Sequence, residues 1–263
     1  MASITIPDLQ ARRAAGERFA TIALYDASFA RLAAAAGIEV ILVGDSLGMV
    51  VQGHTTTLPV TVADMVYHVA AVRRGAADSL IIADMPFGSY ATPELALTNA
   101  ALLMQAGAQM VKLEGGAWLA DTVRMLVERG IPVCGHLGLT PQSVNAFGGF
   151  RVQGRSAEQA GQIVADATRL DAAGATLLVL ECIPRSLTSQ VMQAITIPVI
   201  GIGAGNETDS QVMVMHDLLG LSPRLPRFAR NFLSTAGSVE QAFRDYRAAV
   251  LSGEFPSPEQ SYE

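Results

Sequence analysis

The sequence predicts an α/β fold, a single (β/α)8 barrel spanning residues 1–263 and ending in a C-terminal helix and tail. Three observations lead there. Eight short β-rich apolar runs recur along the chain, helix-like Ala/Leu/Met stretches lie between them, and the length of 263 residues suits one barrel. The runs, in order, are FATIALYD (19–26), EVILVGDS (39–46), SLIIADMP (79–86), MVKLEGG (110–116), IPVCGHLG (131–138), TLLVLECIP (176–184), IPVIGIGAG (197–205) and QVMVMHD (211–217). Their aliphatic residues are nearly continuous rather than alternating with polar ones. Strands covered on both faces, as in an all-parallel sheet, require that pattern. Among the intervening segments, AALLMQAGA, TVRMLVERG and EQAGQIVADATRLDAAG read as helices closed by glycine, and PRSLTSQVMQAI reads as a fourth. Right-handed strand–helix–strand units stack into a parallel sheet, and eight of them close on themselves. An open dinucleotide-binding sheet is disfavoured, because GIGAGNE lacks the last glycine of the phosphate-binding pattern and lies late in the chain.

Two polar stretches interrupt the alternation: SLGMVVQGHTTTLPVT after the second run and TPQSVNAFGGFRVQGRS after the fifth. Long loops after barrel strands lie at the C-terminal face, where they shape or cover a site. Beyond Pro223 a further amphipathic helix is expected near SVEQAFRDYRAAVL, followed by an ordered strap, FPSPEQSYE. No linker or internal repeat divides the chain.

Half of the residues are hydrophobic and 16 % are charged, which excludes a disordered chain and suggests a large interface between subunits as well as a buried sheet. A net charge of -6 without any Lys/Arg cluster gives no footprint for nucleic acid or an anionic membrane, so small molecules are the expected partners. The absence of a membrane-length apolar run and of a secretory leader in MASITIPDLQARRAAGERFA points to the cytoplasm. Cys134 and Cys182 stand in separate apolar runs and are expected to be buried thiols. Of the 18 basic residues only Lys112 is a lysine, a compact charge in a chain that otherwise uses arginine.

The chemistry of a barrel sits at the C-terminal ends of its strands. Here those ends carry Asp26, Asp45 with Ser46, Asp84, Lys112 with Glu114, His136, Glu181 and the His216–Asp217 pair. Packing alone has no use for so many ionisable groups, because a buried charge is costly unless it is paired or bound to metal. Asp45, Asp84 and Glu114 would surround one pole of the barrel, and oxygen ligands with open positions suit Mg2+. The competing role for such aspartates is capping the next helix, and Asp84, before Met and Pro, is the most cap-like of the three. Lys112 and Glu114, two apart on one strand, face the same side. Glu181 ends the very apolar LLVLE, where burial would tune a carboxylate towards general-base work. His136 is placed to orient a substrate. His54, His68 and His216 are read as structural, with His54 within reach of the site from its loop. A divalent metal, an ammonium and a tuned carboxylate together suit enolisation of a small 2-oxo acid.

ILVGDSLGMVVQGHTTTLPVT, ADMPFGSY, VKLEGG, GHLGLTPQSVNAFGGFRVQGR, LLVLECIP and the GIGAG and QVMVMHDLLG segments closely resemble the ketopantoate (3-methyl-2-oxobutanoate) hydroxymethyltransferase family. The likeness extends from about Phe19 to the tail. It implies a barrel similar to the phosphoenolpyruvate/pyruvate-binding type, a homo-oligomer, typically a decamer, and Mg2+ as cofactor. It also implies transfer of a one-carbon unit from 5,10-methylenetetrahydrofolate to 3-methyl-2-oxobutanoate, giving 2-dehydropantoate for pantothenate synthesis. Carried over by position, Asp45 and Asp84 would ligate Mg2+ and lie against the substrate, with Glu114 completing the metal site directly or through water. Ser46 would hold the substrate carboxylate, Lys112 and His136 would contact the oxo acid, and Glu181 would be the base. The chain departs from the family pattern at Thr208, Ser210 and Gln260, and more mildly in MPFGSY and PRFARNF. Within the same fold the alternative is a Mg2+-dependent lyase or hydrolase of the isocitrate lyase/phosphonopyruvate type, for which Cys134 in VCGH would be the candidate thiol.

Overall fold

The computed structural model describes residues 3–263. Eight parallel strands, β1 (Phe19–Ala23), β2 (Val40–Val43), β3 (Leu80–Asp84), β4 (Met110–Glu114), β5 (Val133–Gly138), β6 (Leu177–Glu181), β7 (Val199–Ile202) and β8 (Ser210–Val214), close into a barrel in sequence order. Closure is made by β8 against β1, with Phe19 opposite Ser210 and Ala23 opposite Val214. All eight apolar runs therefore become strands. Around them lie α1 (Ile6–Ala15), α2 (Ala27–Ala35), α3 (Leu47–Val50), α4 (Val62–Gly75), α5 (Pro93–Gln105), α6 (Ala120–Glu128), α7 (Val144–Phe147), α8 (Ala157–Ala172), α9 (Arg185–Ala194), α10 (Met215–Leu218) and α11 (Val239–Ser252).

The four helices read from sequence are present as α5, α6, α8 and α9. Gly107, Gly130 and Gly174, just past α5, α6 and α8, take φ of +115°, +81° and +99°, the left-handed turn that glycine adopts at least cost. The strand–helix alternation lapses once. Between β7 and β8 the chain turns directly through GAGNETD, whose glycines and polar residues cannot fill a helical layer, so the outer wall there comes from the C-terminal region. α11 packs on β1 and β8, and the buried Tyr246 hydroxyl reaches the carbonyls of Thr21 (2.8 Å) and Gln211 (2.7 Å).

Strand parity divides the core in two. Phe19 and Ala23, Val40 and Leu42, Leu80 and Ile82, Met110, Cys134, Leu177 and Val179, Ile200 and Val212 form one buried cluster, which fills the barrel. The residues between them, such as Ile22, Ile41, Ile81, Val111, Leu178 and Val199, pack outward under the helices. Leu9 of α1 is fully buried in the interior cluster, with Ile4 and Ile6 beside it, so the N-terminal helix stoppers the end of the barrel where the strands begin.

Candidate active site

The inward parity continues upward into charge. Two residues above Ile82 comes Asp84. Above Met110 come Lys112 and then Glu114, above Cys134 comes His136, and above Val179 comes Glu181. Register sets neighbours side by side, with Asp84 opposite Lys112 and Glu114 opposite His136. The Lys112 ammonium lies 3.2 Å from Asp84 Oδ1, 3.2 Å from Glu114 Oε1 and 3.1 Å from His136 Nδ1. His136 Nδ1 also lies 3.3 Å from Glu114 Oε1, and Nε2 faces Glu181 Oε2 at 3.3 Å. Asp45, just past β2, donates its amide to Asp84 Oδ2 at 3.0 Å. The Ser46 hydroxyl pairs with that of Tyr25 at 2.8 Å. Gly44 makes this approach possible, since a Cβ there would stand 2.9 Å from Ser46 Oγ and 3.4 Å from Asp84 Oδ2. Thus Asp45, Asp84, Lys112, Glu114 and His136 form one buried cluster, with Ser46 beside Asp45, and Glu181 stands at its edge with 14 % of its side chain exposed.

Gln142 is the participant that the sequence reading omits. From the loop after β5 its side-chain amide donates to Asp45 Oδ2 (2.8 Å) and to the Met85 carbonyl (3.0 Å), while its backbone N–H donates to Glu114 Oε2 (3.0 Å). The Tyr90 hydroxyl donates to its carbonyl oxygen at 2.5 Å. Its polarity marks the loop in the sequence, but no residue within it stands out. Asp26, in contrast, faces away from the cluster and caps α2, accepting the amides of Ser28 (2.7 Å) and Phe29 (3.0 Å). It fills the capping role that the sequence assigned most readily to Asp84. Asp217 lies in α10, and His216 packs against Tyr25 at 5.8 Å. His68 bonds the Tyr25 carbonyl through Nδ1 at 2.7 Å, while His54 is exposed on its loop. Both cysteines are free and buried. Thr208 and Ser210 both find partners within the barrel wall: the Thr208 hydroxyl donates to the Ser210 carbonyl (2.7 Å), and Ser210 Oγ pairs with Thr21 Oγ1 on β1 (2.9 Å).

Burial, together with the charges of Asp84 and Glu114, holds the Asp45 carboxyl well above the usual range. Burial also raises Asp84, against the pull of Lys112. Burial opposes the charge of Lys112, yet Asp84, Glu114 and Asp45 together keep its pKa well above that of a free lysine. Glu114 shows the reverse balance: burial works against ionisation, but Lys112 and His136 bring it down to about 2. Three carboxyl groups crowd one ammonium and resist ionising together without a further cation, and Asp84 Oδ1 is buried without an aligned hydrogen bond. Such a donor set fits a hard divalent cation. Among the described residues no three His, Cys, Asp or Glu side chains form a ready-made metal cage. His136 Nε2 is likewise buried without an aligned partner and faces the mouth.

The family described as ketopantoate hydroxymethyltransferase matches residues 3–258. Curated 3-methyl-2-oxobutanoate hydroxymethyltransferases from Klebsiella pneumoniae and Escherichia coli O127:H6 are 60 % and 59 % identical over 263 residues, covering 100 % of this chain and of each relative. Among solved structures, a phosphonopyruvate hydrolase complex with oxalate and Mg2+ superposes with a TM-score of 0.64 at 13 % identity, over 97 % of this chain and 92 % of that one. A phosphoenolpyruvate phosphomutase from Streptomyces platensis subsp. rosaceus gives 0.62 at 12 % identity, over 82 % and 83 %. These two share the barrel fold. The full-length match and the identity of the curated relatives establish that the chain belongs to the ketopantoate hydroxymethyltransferase family.

Proposed function

We propose that this chain transfers the one-carbon unit of 5,10-methylenetetrahydrofolate to 3-methyl-2-oxobutanoate, with water supplying the hydroxyl oxygen, to give 2-dehydropantoate and tetrahydrofolate in pantothenate synthesis. The observation that carries the reading is the buried line of groups from Asp84 through Lys112 and His136 to Glu181, in a member of this family. Asp45 and Asp84 would hold Mg2+, with Glu114 joining directly or through water. When bound, the ion supplies Lewis-acid polarisation of the 2-oxo group. Ser46 binds the substrate carboxylate. Lys112 and His136 Nε2–H face the oxygen on which negative charge develops, and their donors are fixed by the cluster before the substrate arrives. Glu181 removes the proton from C3, next to the carbonyl; water adds to the methylene carbon as its two C–N bonds break, its protons going to the nitrogens of the departing tetrahydrofolate, and the carbanion attacks the formaldehyde carbon so released, the alkoxide taking back the proton held by Glu181. Gln142 clamps Asp45 to the loop that roofs the site.

The lyase or hydrolase alternative needs a reactive thiol, and Cys134 does not supply one. Its side chain is fully buried in the barrel interior, one step below His136, and burial pushes its pKa up to about 12. We place the enzyme in the cytoplasm as a homo-oligomer, a decamer by family resemblance. The exposure of Tyr67, Trp118, Phe87 and Phe150 supports a covering partner copy. Among the described residues no helix is long and apolar enough to cross a membrane.

The test is deuterium exchange at C3 of 3-methyl-2-oxobutanoate, followed by NMR with Mg2+ or chelator, and then with methylenetetrahydrofolate added. Metal-dependent exchange and then 2-dehydropantoate are expected. Absence of both from folded, Mg2+-supplemented protein would refute the assignment.

A further inference from the structure

The strand end that carries Glu181 is built unlike the others. Cys182, the next residue, has φ +46°, the only non-glycine among the described residues in the left-handed region. A side chain adopts that conformation only where its surroundings enforce it. Three segments do so here. The Cys182 amide donates to the Ile202 carbonyl on β7 (2.9 Å), and its carbonyl accepts the Gln153 amide from the loop after β5 (2.9 Å). Its sulfur and the ring of Tyr262, one residue from the end of the chain, meet beside Gly203. Gly203 clears the space in which they meet: a Cβ there would stand 3.0 Å from Phe228 Cδ1, 3.1 Å from Tyr262 Cε2 and 3.3 Å from Cys182 Sγ.

The tail is tied down on both sides of Tyr262. The Arg185 amide donates to the Tyr262 carbonyl (3.0 Å), and the Arg227 guanidinium lies over the Tyr262 ring at 5.4 Å while its Nε donates to the Glu259 carbonyl (2.8 Å). Gln260 donates to the Ala229 carbonyl (3.0 Å), and Ser261 is buried. Residues 257–262 thus form a strap across the β6–β7 side of the mouth. On the opposite flank the Glu181 carbonyl accepts the Leu139 amide (2.8 Å) and sits where a Gly138 Cβ would be, at 2.2 Å. The direction of the Glu181 side chain is therefore fixed by Leu139 on one side and by the turn at Cys182 on the other.

We infer that the C-terminal strap sets the Glu181 carboxylate through Cys182, which makes Tyr262 a positioning residue for proton abstraction. This rests on Glu181 being the base. The test compares Tyr262→Ala, Tyr262→Phe and Glu181→Gln, each alone, with the Tyr262→Ala/Glu181→Gln pair, by C3 exchange in the Mg2+-loaded protein. Tyr262→Ala should lower kcat for exchange tenfold or more with KM within twofold. Tyr262→Phe, which keeps the ring against Gly203 and Arg227, should recover kcat to within threefold. On the Glu181→Gln background, Tyr262→Ala should change the residual rate less than twofold. Should Tyr262→Ala not fold, Tyr262→Leu is held to the same values. An inactive Glu181→Gln beside an unchanged kcat in Tyr262→Ala overturns the positioning role alone, as does a rise in KM at constant kcat. Wild-type exchange by Glu181→Gln overturns the assignment of the base.

Discussion

Lys112→Met keeps the length and apolar stem of the side chain but removes the one ammonium among three buried carboxylates. Lys112 Nζ makes two contacts of 3.2 Å, to Asp84 and Glu114. At an effective dielectric of about 20, each is worth about 5 kcal/mol of gross attraction. Part of this is offset because removing the ammonium also removes its desolvation cost of several kcal/mol, so the net destabilisation from leaving the carboxylates uncompensated should be about 3–5 kcal/mol. For a chain of this size, roughly 2–4 °C per kcal/mol gives a midpoint lower by about 6–20 °C. The assay is thermal unfolding in chelator, followed by the same measurement with Mg2+, which should recover part of the loss by supplying positive charge to the same carboxylates. A variant that melts in chelator within 2 °C of the parent protein would refute the reasoning, because the cluster would then be neutralised without Lys112.

Glu181→Gln should retain binding of 3-methyl-2-oxobutanoate by calorimetry while slowing C3 exchange by about a hundredfold or more. Cys134→Ser should leave turnover within a few fold, and a thousandfold loss would revive the lyase reading. The raised thiol of Cys134 gives a pH dependence of definite sign. Between about pH 8.5 and 11 the unfolded chain releases this proton while the folded chain, with its pKa near 12, keeps it, so stability falls as pH rises. About 1–2 kcal/mol should be lost by pH 10, and denaturant melts of Cys134→Ala should show a correspondingly flatter alkaline limb. Asp26→Ala should cost about 1 kcal/mol through the lost cap of α2, with steady-state activity unchanged, separating this strand-end aspartate from Asp45 and Asp84.

Much of this was legible because strands covered on both faces leave long aliphatic runs, and those runs mark where the mouth begins. The i, i+2 pair Lys112 and Glu114 carried its own orientation, and Asp84, His136 and Glu181 share the inward parity of the apolar residues below them. Parity also separates Asp84 from Asp26. The first continues the inward row of Leu80 and Ile82, whereas the second lies past the end of its strand, in the extended conformation of a helix cap, and the local sequence hides that distinction. Gln142 was not legible, since a glutamine in an aperiodic loop acquires its partners only when β2, β4 and the β5 loop are brought together. Nor was the left-handed Cys182, whose turn packs beside Gly203 against a residue 80 positions later. The missing helix between β7 and β8 follows from the glycines and polar residues of GAGNETD and from closure, as β8 needs only a short turn to reach its place beside β7 and β1.

The stopper formed by Leu9, Ile4 and Ile6 has a kinetic consequence. With the interior packed by side chains from Leu9 up to Cys134 and Val179, the site has a single doorway at the mouth, so whatever rests against Lys112 and His136 at its depth must enter before anything seated above it and must wait for that upper molecule to depart. Two reactants sharing such a corridor are obliged to queue. Product inhibition should therefore follow a compulsory order, with the deepest-lying product the last to leave and competing only against the reactant that enters first.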